Sequence, residues 1–296
     1  VAVWLESNGA NAPYIPLRES TNNMLTADSQ KIEIDLLMQA IARKYGYDFR
    51  NYAKASIKRR IMNVLATSGL KTISEMQHKL LYDKQFFETL LLKLSVNVTE
   101  MFRDPSFYTA LRKEVLPQLK PRPFIKVWHA GCATGEEVYS MAILLKEENL
   151  YEKSWIYATD FNEQVLKKAR EGIYPIDMLK KYSSNYQRAG GTSSLADYYT
   201  ARYDFVIMEN SLKRNIVFSD HNLVTDGVFA EMDLILCRNV LIYFDTKLQN
   251  HVFKLFRDSL SDKGFLCLGS KETVKFSEYA DDFEDTVGKE KIYRIK

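Results

Sequence analysis

The chain has 296 residues, and its 41 Lys and Arg against 38 Asp and Glu leave a net charge of only +3. That length can bury a full core in one to two domains, and the even charge balance gives no reason to invoke bulk binding to nucleic acid or to an anionic membrane. No run approaches the roughly 18–20 apolar residues of a membrane span, and residues 1–30 lack the charged start and apolar core of a signal peptide.

The three cysteines, Cys132, Cys237 and Cys267, lie far apart and form no CxxC pair. A disulfide framework and a zinc site are therefore not expected, no metal is assigned, and a reduced, cytoplasmic setting fits best. Val1 rather than Met opens the sequence, as it would in a fragment of a longer protein.

Residues 1–30 read as a tail or arm without a sustained period. From Asp28 the pattern turns helical: Ile34, Leu37, Met38 and Ile41 recur at i, i+3, i+4 and i+7, with Gly46 as the stop. A second helix runs through Ile57, Ile61, Val64 and Leu65 to Gly69, and a third starts at Ser74 with Gln77 completing a capping box. A fourth carries Phe86, Phe87, Leu90, Leu91 and Leu94; a fifth is capped by Asp104-Pro105 and ends at Pro117. Residues 31–116 thus read as an all-helical domain, and 117–123 ("PQLKPRP") as a linker.

Past residue 124 the character changes. "FIKVWHA" and "WIYATD" read as strands, each followed by a helix; "YDFVIM", "NIVFSD", "MDLILC", "GFLCLG" and "KIYRIK" read as further strands, and 183–194 as polar and irregular. Alternating strands and helices over 124–296 predict an α/β domain with a mostly parallel, Rossmann-like sheet.

Three stretches carry candidate chemistry. The first is G-C-A-T-G-E-E, residues 131–137, between a strand and a helix, with Asp160 ending the next strand. Two carboxylates at a helix N-terminus would repel a pyrophosphate, whereas a cationic ligand tolerates them. An acid at the end of the second strand, 25 residues after Gly135, suits a ribose diol. S-adenosylmethionine has a ribose, no phosphate, and a cationic sulfonium and ammonium. The competing reading is a tight turn whose acids merely favour the helix dipole. The second stretch, "LSVNVTEMFRDPSFY", interleaves Asn97, Thr99 and Arg103 with apolar residues; spacing alone favours an ordinary inter-helix loop. The third, "LILCRNVLIYFD", is a buried strand ending in Arg238-Asn239 with Tyr243 beyond.

Together these stretches make the sequence resemble the CheR family of chemotaxis receptor methyltransferases. The matching pieces are N-x-T-x-x-F-R (Asn97 to Arg103), A-G-C-A-T-G-E-E-x-Y-S (Ala130 to Ser140), A-T-D-F-N-E-x-V-L-x-x-A-R-x-G-I-Y (Ala158 to Tyr174) and C-R-N-V-L-I-Y-F-D (Cys237 to Asp245), in register over residues 31–296. The resemblance implies a class I S-adenosylmethionine-dependent methyltransferase domain behind an N-terminal all-helical domain. It implies protein-glutamate O-methylation of chemoreceptors, with S-adenosylhomocysteine as product. By position it places Asn97, Thr99, Arg103, Gly131, Glu136, Glu137, Asp160, Asn222, Leu223, Arg238 and Asn239 at the cofactor, with Glu137 favoured of the acid pair. Arg103 and Tyr243 would stand beside the transferred methyl as the catalytic pair.

Two departures stand out. Val138 replaces the family's usual Pro, and both fit a first helical turn. The segment from Tyr199 to Ile207 is short and has no glycine, where many members carry a glycine-rich β-insertion that docks a receptor's C-terminal peptide; a pentapeptide tether is therefore not expected.

A glutamate carboxylate is ionised at neutral pH, so the reaction needs alignment rather than a strong base, and none of the four histidines stands out as one. His129 reads as structural or cofactor-facing. Residues 31–104 hold 13 Lys and Arg against 8 Asp and Glu, and Lys54, Lys58 and Arg59 cluster on the polar side of the second helix. This face would steer an acidic receptor helical bundle, unless it is simply a solvated helix face. Competing functions are a methyltransferase of the same fold with another carboxylate acceptor and a non-catalytic cofactor-sensing module. A DNA adenine methyltransferase would carry an Asn/Asp-Pro-Pro-aromatic tetrapeptide where this chain has Cys237-Arg238-Asn239-Val240.

Overall fold

The computed structural model describes residues 19–95 and 99–296. Four helices come first: α1 (Glu19–Tyr45), α2 (Lys54–Ser68), α3 (Ile73–Tyr82) and α4 (Lys84–Leu94). Helix α1 begins well before Asp28, so residues 19–30 belong to a helix and not to an arm. Helix α3 is capped by Thr72, whose side chain accepts from the Glu75 amide at 3.1 Å. The cap expected at Ser74 thus sits two residues earlier, at Thr72, and no full capping box closes because the Glu75 carboxylate accepts from the Lys71 amide at 2.8 Å; Ser74 instead donates to Glu33 of α1 at 2.6 Å. Asp83 caps α4 through the Phe86 amide at 2.9 Å.

The buried faces of these helices make one core around Leu37, Ile41, Ile61, Met76, Leu80 and Leu90, all essentially inaccessible. The next helix does not join it. Helix α5 (Pro105–Ala110) continues through a π-helical stretch (Leu111–Val115) into α6 (Leu116–Leu119), and Phe107, Tyr108, Leu111 and Leu119 pack in the core of the sheet domain. The boundary expected at residue 116 therefore falls before α5. The expected linker is also tied down: Leu119 is buried, and Arg122 binds Asp233, the Ser261 hydroxyl at 2.8 Å and the Asp262 carbonyl at 2.6 Å.

The sheet domain then runs through β1 (Ile125–Ala130), α7 (Glu136–Glu147), β2 (Ser154–Asp160), α8 (Glu163–Glu171), β3 (Ile173–Pro175), α9 (Leu179–Arg188), β4 (Tyr199–Arg202), β5 (Phe205–Met208), α10 (Asn210–Lys213), β6 (Ile216–Asp220), β7 (Met232–Cys237), α11 (Thr246–Ser259), β8 (Leu260–Leu268), β9 (Phe283–Val287) and β10 (Ile292–Ile295). The main sheet has the order β6-β2-β1-β7-β8-β10-β9; its first five strands are parallel, and β10 is antiparallel to both neighbours. Alternation sorts the central side chains: Val127, Leu234 and Leu236 enter one core with α7, while Trp128, Ile235 and Cys237 enter the other with α11. With helices on both faces, β7 is buried at every position, which is why it is apolar apart from Asp233, whose charge Arg122 meets.

Strand β5, expected in the main sheet, instead joins β3 and β4 in a separate antiparallel sheet of order β3-β5-β4. The β4–β5 hairpin closes in two residues, Tyr203 and Asp204, with Tyr203 at φ 51°. Residues 183–188, expected to be irregular, complete α9, whose Tyr182 and Tyr186 are buried. Strand order reverses between β1 and β7, and a crevice at the carboxyl ends of such a pair is where open α/β sheets bind ligands.

Candidate active site

The cleft is built from the loops at the carboxyl ends of β1, β2, β6 and β7. Both Gly131 and Cys132 donate their amides to the Thr159 carbonyl at 2.9 Å, folding the loop after β1 back onto β2. Gly131 has φ 79°, and a Cβ there would lie 2.7 Å from a Val240 methyl. No side chain fits between the two loops at the crossover. Asp160, at the end of β2, accepts from the Ala133 amide and the Asn162 amide, each at 3.0 Å. Burial pushes its carboxyl up to about 6, against the backbone N–H groups that favour the ionised form.

Two chambers share Gly131, Ala133, Asn239, Val240 and Tyr243. The first is largely apolar, walled by Leu94, Phe161, Leu223, Val224 and Phe244, with Asp160, His221 and Asn222 among its lining. The second is charged, and Thr99, Arg103, Glu137 and Arg238 line it. Of the residues expected at the cofactor, Thr99, Arg103, Gly131, Glu137, Asp160, Asn222, Leu223, Arg238 and Asn239 all line one chamber or both. Asn97 lies outside the described residues.

Glu136 does not line either chamber. Successive helix positions point about 100° apart, and Glu136 turns the other way, accepting from the Thr134 hydroxyl at 2.6 Å. Burial pushes it up to about 7, against hydrogen bonds from Thr134 and Tyr182. Nor does Glu137 present a lone charge: its oxygens meet His129 Nδ1 at 3.0 Å and an Arg238 nitrogen at 3.1 Å. Burial opposes its ionisation, but the His129 bond and the Arg238 charge win and hold it below the usual carboxylate range. The pair of acids inferred from the sequence is thus one shared carboxylate and one turned away.

Arg238 is the knot of the charged chamber. Besides Glu137 it reaches Asp104 at 2.7 Å, and its guanidinium lies 4.0 Å from the Phe107 ring centroid. The Asp104 carboxylate, expected as a helix cap, makes no capping bond because Arg238 takes it. Phe102, Asp104, Ala133 and Asn239 all have positive φ without being glycine, a strain that clusters at functional clefts. The Phe102 amide is pinned by Ser140 Oγ at 2.9 Å, which sets the adjacent Arg103 against the chamber.

Three residues that the motifs did not single out shape the cleft. Arg60 of α2 stacks its guanidinium 4.6 Å from the Tyr243 ring centroid. Tyr52 lines the apolar chamber, and the Ala53 amide donates to the Tyr243 carbonyl at 2.8 Å, so the helical domain holds the loop that carries Tyr243. Buried Glu272 accepts from the amides of Gly269 at 2.6 Å, Asn239 at 2.9 Å and Ile242 at 3.2 Å. Only the folded chain brings these together.

The arrangement fits S-adenosylmethionine. Asp160 stands where a ribose diol is expected, the apolar chamber suits a flat base, and Glu137 with Arg238 offers partners of both signs to an amino-acid zwitterion. A strand order with its crossover at this cleft, joined to these side chains, defines a methyltransferase of the S-adenosylmethionine-binding class. Residues 97–291 match the CheR methyltransferase SAM binding domain, and residues 32–95 match the CheR methyltransferase all-alpha domain. The chain belongs to the CheR family, and S-adenosylmethionine is its cofactor.

Relatives agree. The chain is 52% identical over 271 residues, 92% of its length and 99% of the relative's, to a Pseudomonas putida protein described as putative methyltransferase Cher3. It is 31% identical over 266 residues to a chemotaxis protein methyltransferase of Borreliella burgdorferi, covering 85% of this chain and 91% of that one. With the corresponding protein of Listeria monocytogenes it is 29% identical over 238 residues, covering 80% and 88%. Among the described residues no helix is long and apolar enough to cross a membrane.

Proposed function

We propose that this methyltransferase acts in the cytoplasm on glutamate side chains of chemoreceptors, forming γ-methyl esters. The observation that carries the reading is the single charged chamber that gathers Arg103, Tyr243, Glu137 and Arg238 beside the crossover. S-adenosylmethionine supplies a methyl on cationic sulfur. Asp160 holds the ribose, Asn222 and Leu223 border the base, and Glu137, fixed by His129 and Arg238, holds the ammonium.

Arg103 grips the incoming carboxylate, a pairing that guanidinium geometry favours. Tyr243 orients it, its own ring fixed by Arg60. No proton moves, because the acceptor is already ionised. In-line placement of the reactants is the main contribution, worth about 7–11 kcal/mol when fully realised, and neutralising opposite charges favours a site that excludes water.

The receptor reaches the cleft over α2. Lys54 and Lys58 border a groove with an apolar floor of Ile34, Met38, Phe49 and Ile57, and Tyr52 walls both this groove and the cofactor chamber. With Lys31, Arg50, Lys54 and Lys58 against Asp28 and Asp35, the lining is basic on balance over its apolar floor, which suits an acidic amphipathic helix. Arg59 is exposed outside that groove and adds long-range attraction. The two-residue β4–β5 turn supports docking without a peptide tether.

Mass spectrometry of a receptor cytoplasmic fragment after incubation with protein and cofactor tests the reading. Methyl groups should map to glutamates and be lost in mild base. Methylation at lysine, or none with cofactor bound, would refute it.

A further inference from the structure

A second groove adjoins the charged chamber at Ile242. Ile242 lines the charged chamber and this groove alike, so the two adjoin across its side chain. The groove also takes in Gln249 and Asn250 of α11 and Lys271 and Phe276 of the loop after β8. Phe276 is 89% exposed and Ile242 37% exposed.

That loop is framed rather than slack. Glu272 ties it to the Asn239–Ile242 turn, the Ser277 amide bonds the Val274 carbonyl at 2.9 Å over a buried Val274, and Glu278 is held by Asn250 at 2.8 Å. A phenyl ring held out in water by a framed loop gains nothing for folding. Aromatic side chains beside exposed aliphatic ones are what protein interfaces use as anchors.

We propose that this groove seats the part of the acceptor that flanks its target glutamate, as an acidic amphipathic helix. Phe276 and Ile242 take its apolar positions, and Lys271 meets its acidic side. The inference rests on the reading of the acceptor as a receptor helix. Adjacency to the chamber at Ile242 sets the spacing along the helix: the glutamate enters beside Arg103 and Tyr243, and a neighbouring turn lies against Phe276. The α2 groove adjoins the apolar chamber through Tyr52, so each chamber has a neighbouring groove that can take acceptor surface.

Full-length Phe276→Asp and Phe276→Ala should be compared with wild type on a receptor cytoplasmic fragment, with cofactor affinity measured separately. Phe276→Asp is expected to raise the acceptor KM at least about tenfold and Phe276→Ala by a smaller factor, with S-adenosylmethionine affinity unchanged. Lys271→Glu should raise the acceptor KM in low salt and lose most of its effect in high salt. An acceptor KM unaltered by Phe276→Asp would overturn the docking wall while leaving the function intact. A wild-type protein that methylates no receptor glutamate would remove both.

Discussion

The Arg60 guanidinium, from the helical domain, stacks 4.6 Å from the ring centroid of Tyr243 in the sheet domain. Arg60 also donates to the Leu94 carbonyl at the end of α4, just before the segment that leads to Thr99 and Arg103. One side chain thus ties Tyr243 to the end of α4. Removing it in Arg60→Ala should lower kcat about tenfold, the scale of a partly desolvated cation–π contact, and affect kcat more than cofactor affinity. Arg60→Lys should recover only part, since an ammonium lacks the flat stacking surface. Steady-state kinetics in both substrates decide this, and an unchanged kcat in Arg60→Ala would rule out the positioning role.

Arg238 should dominate stability among the cleft residues. Its side chain is 2% exposed and joins Glu137 to Asp104. Arg238→Met leaves the half-buried Glu137 carboxylate with His129 as its remaining partner and should cost about 3 kcal/mol. Adding Glu137→Gln should return part of that loss, because that charge disappears. Urea denaturation of the two single variants and the double variant measures the coupling; strictly additive losses would contradict it.

Glu272 is a structural anchor with a functional consequence. Glu272→Ala leaves three backbone N–H groups in the Asn239–Ile242 and Gly269 turns without their acceptor. A loss of about 3 kcal/mol is expected from such stranded donors, with a smaller one for Glu272→Gln, which keeps an acceptor oxygen. Thermal unfolding and turnover should fall together, and a variant as stable as wild type would show that the loop stands without it.

Acid should pull stability and cofactor affinity in opposite directions. Burial raises Asp160 to about 6 and Glu136 to about 7. The folded protein therefore binds protons more readily than the unfolded chain between these values and the ordinary carboxylate range near 4. From these two groups the ligand-free protein gains stability as pH falls through about 7 and 6. A ribose diol needs Asp160 ionised, so cofactor affinity should drop about tenfold per pH unit below about 6. Calorimetric titration and thermal shifts between pH 5 and 8 separate the two trends; affinity flat to pH 5 would take Asp160 out of the ribose site.

Sequence alone makes legible whatever depends on position along a strand or turn. Gly131, Asp160 and Arg238-Asn239 are read correctly as neighbours because all lie at or just past the carboxyl ends of parallel strands, where such sheets gather ligands. The Glu136-Glu137 pair is half legible: the resemblance places both acids at the cofactor with Glu137 favoured, and only the fold turns Glu136 to Thr134 and shares Glu137 between His129 and Arg238. Arg60, Tyr52 and Glu272 give no signal, since their roles arise from contacts between distant segments. Strands β3, β4 and β9 and helix α9 escape notice for a simpler reason. Short strands carry too few alternations to register, and α9 hides its buried tyrosines in a polar stretch.

Methyl transfer from labelled S-adenosylmethionine to a receptor cytoplasmic fragment, by wild type and by Arg103→Ala, tests the central claim most directly. Wild type should transfer label that mild base releases as methanol, with turnover sharply reduced in Arg103→Ala while the variant still binds cofactor. Label that resists base, or full turnover without Arg103, would contradict glutamate methylation guided by that arginine.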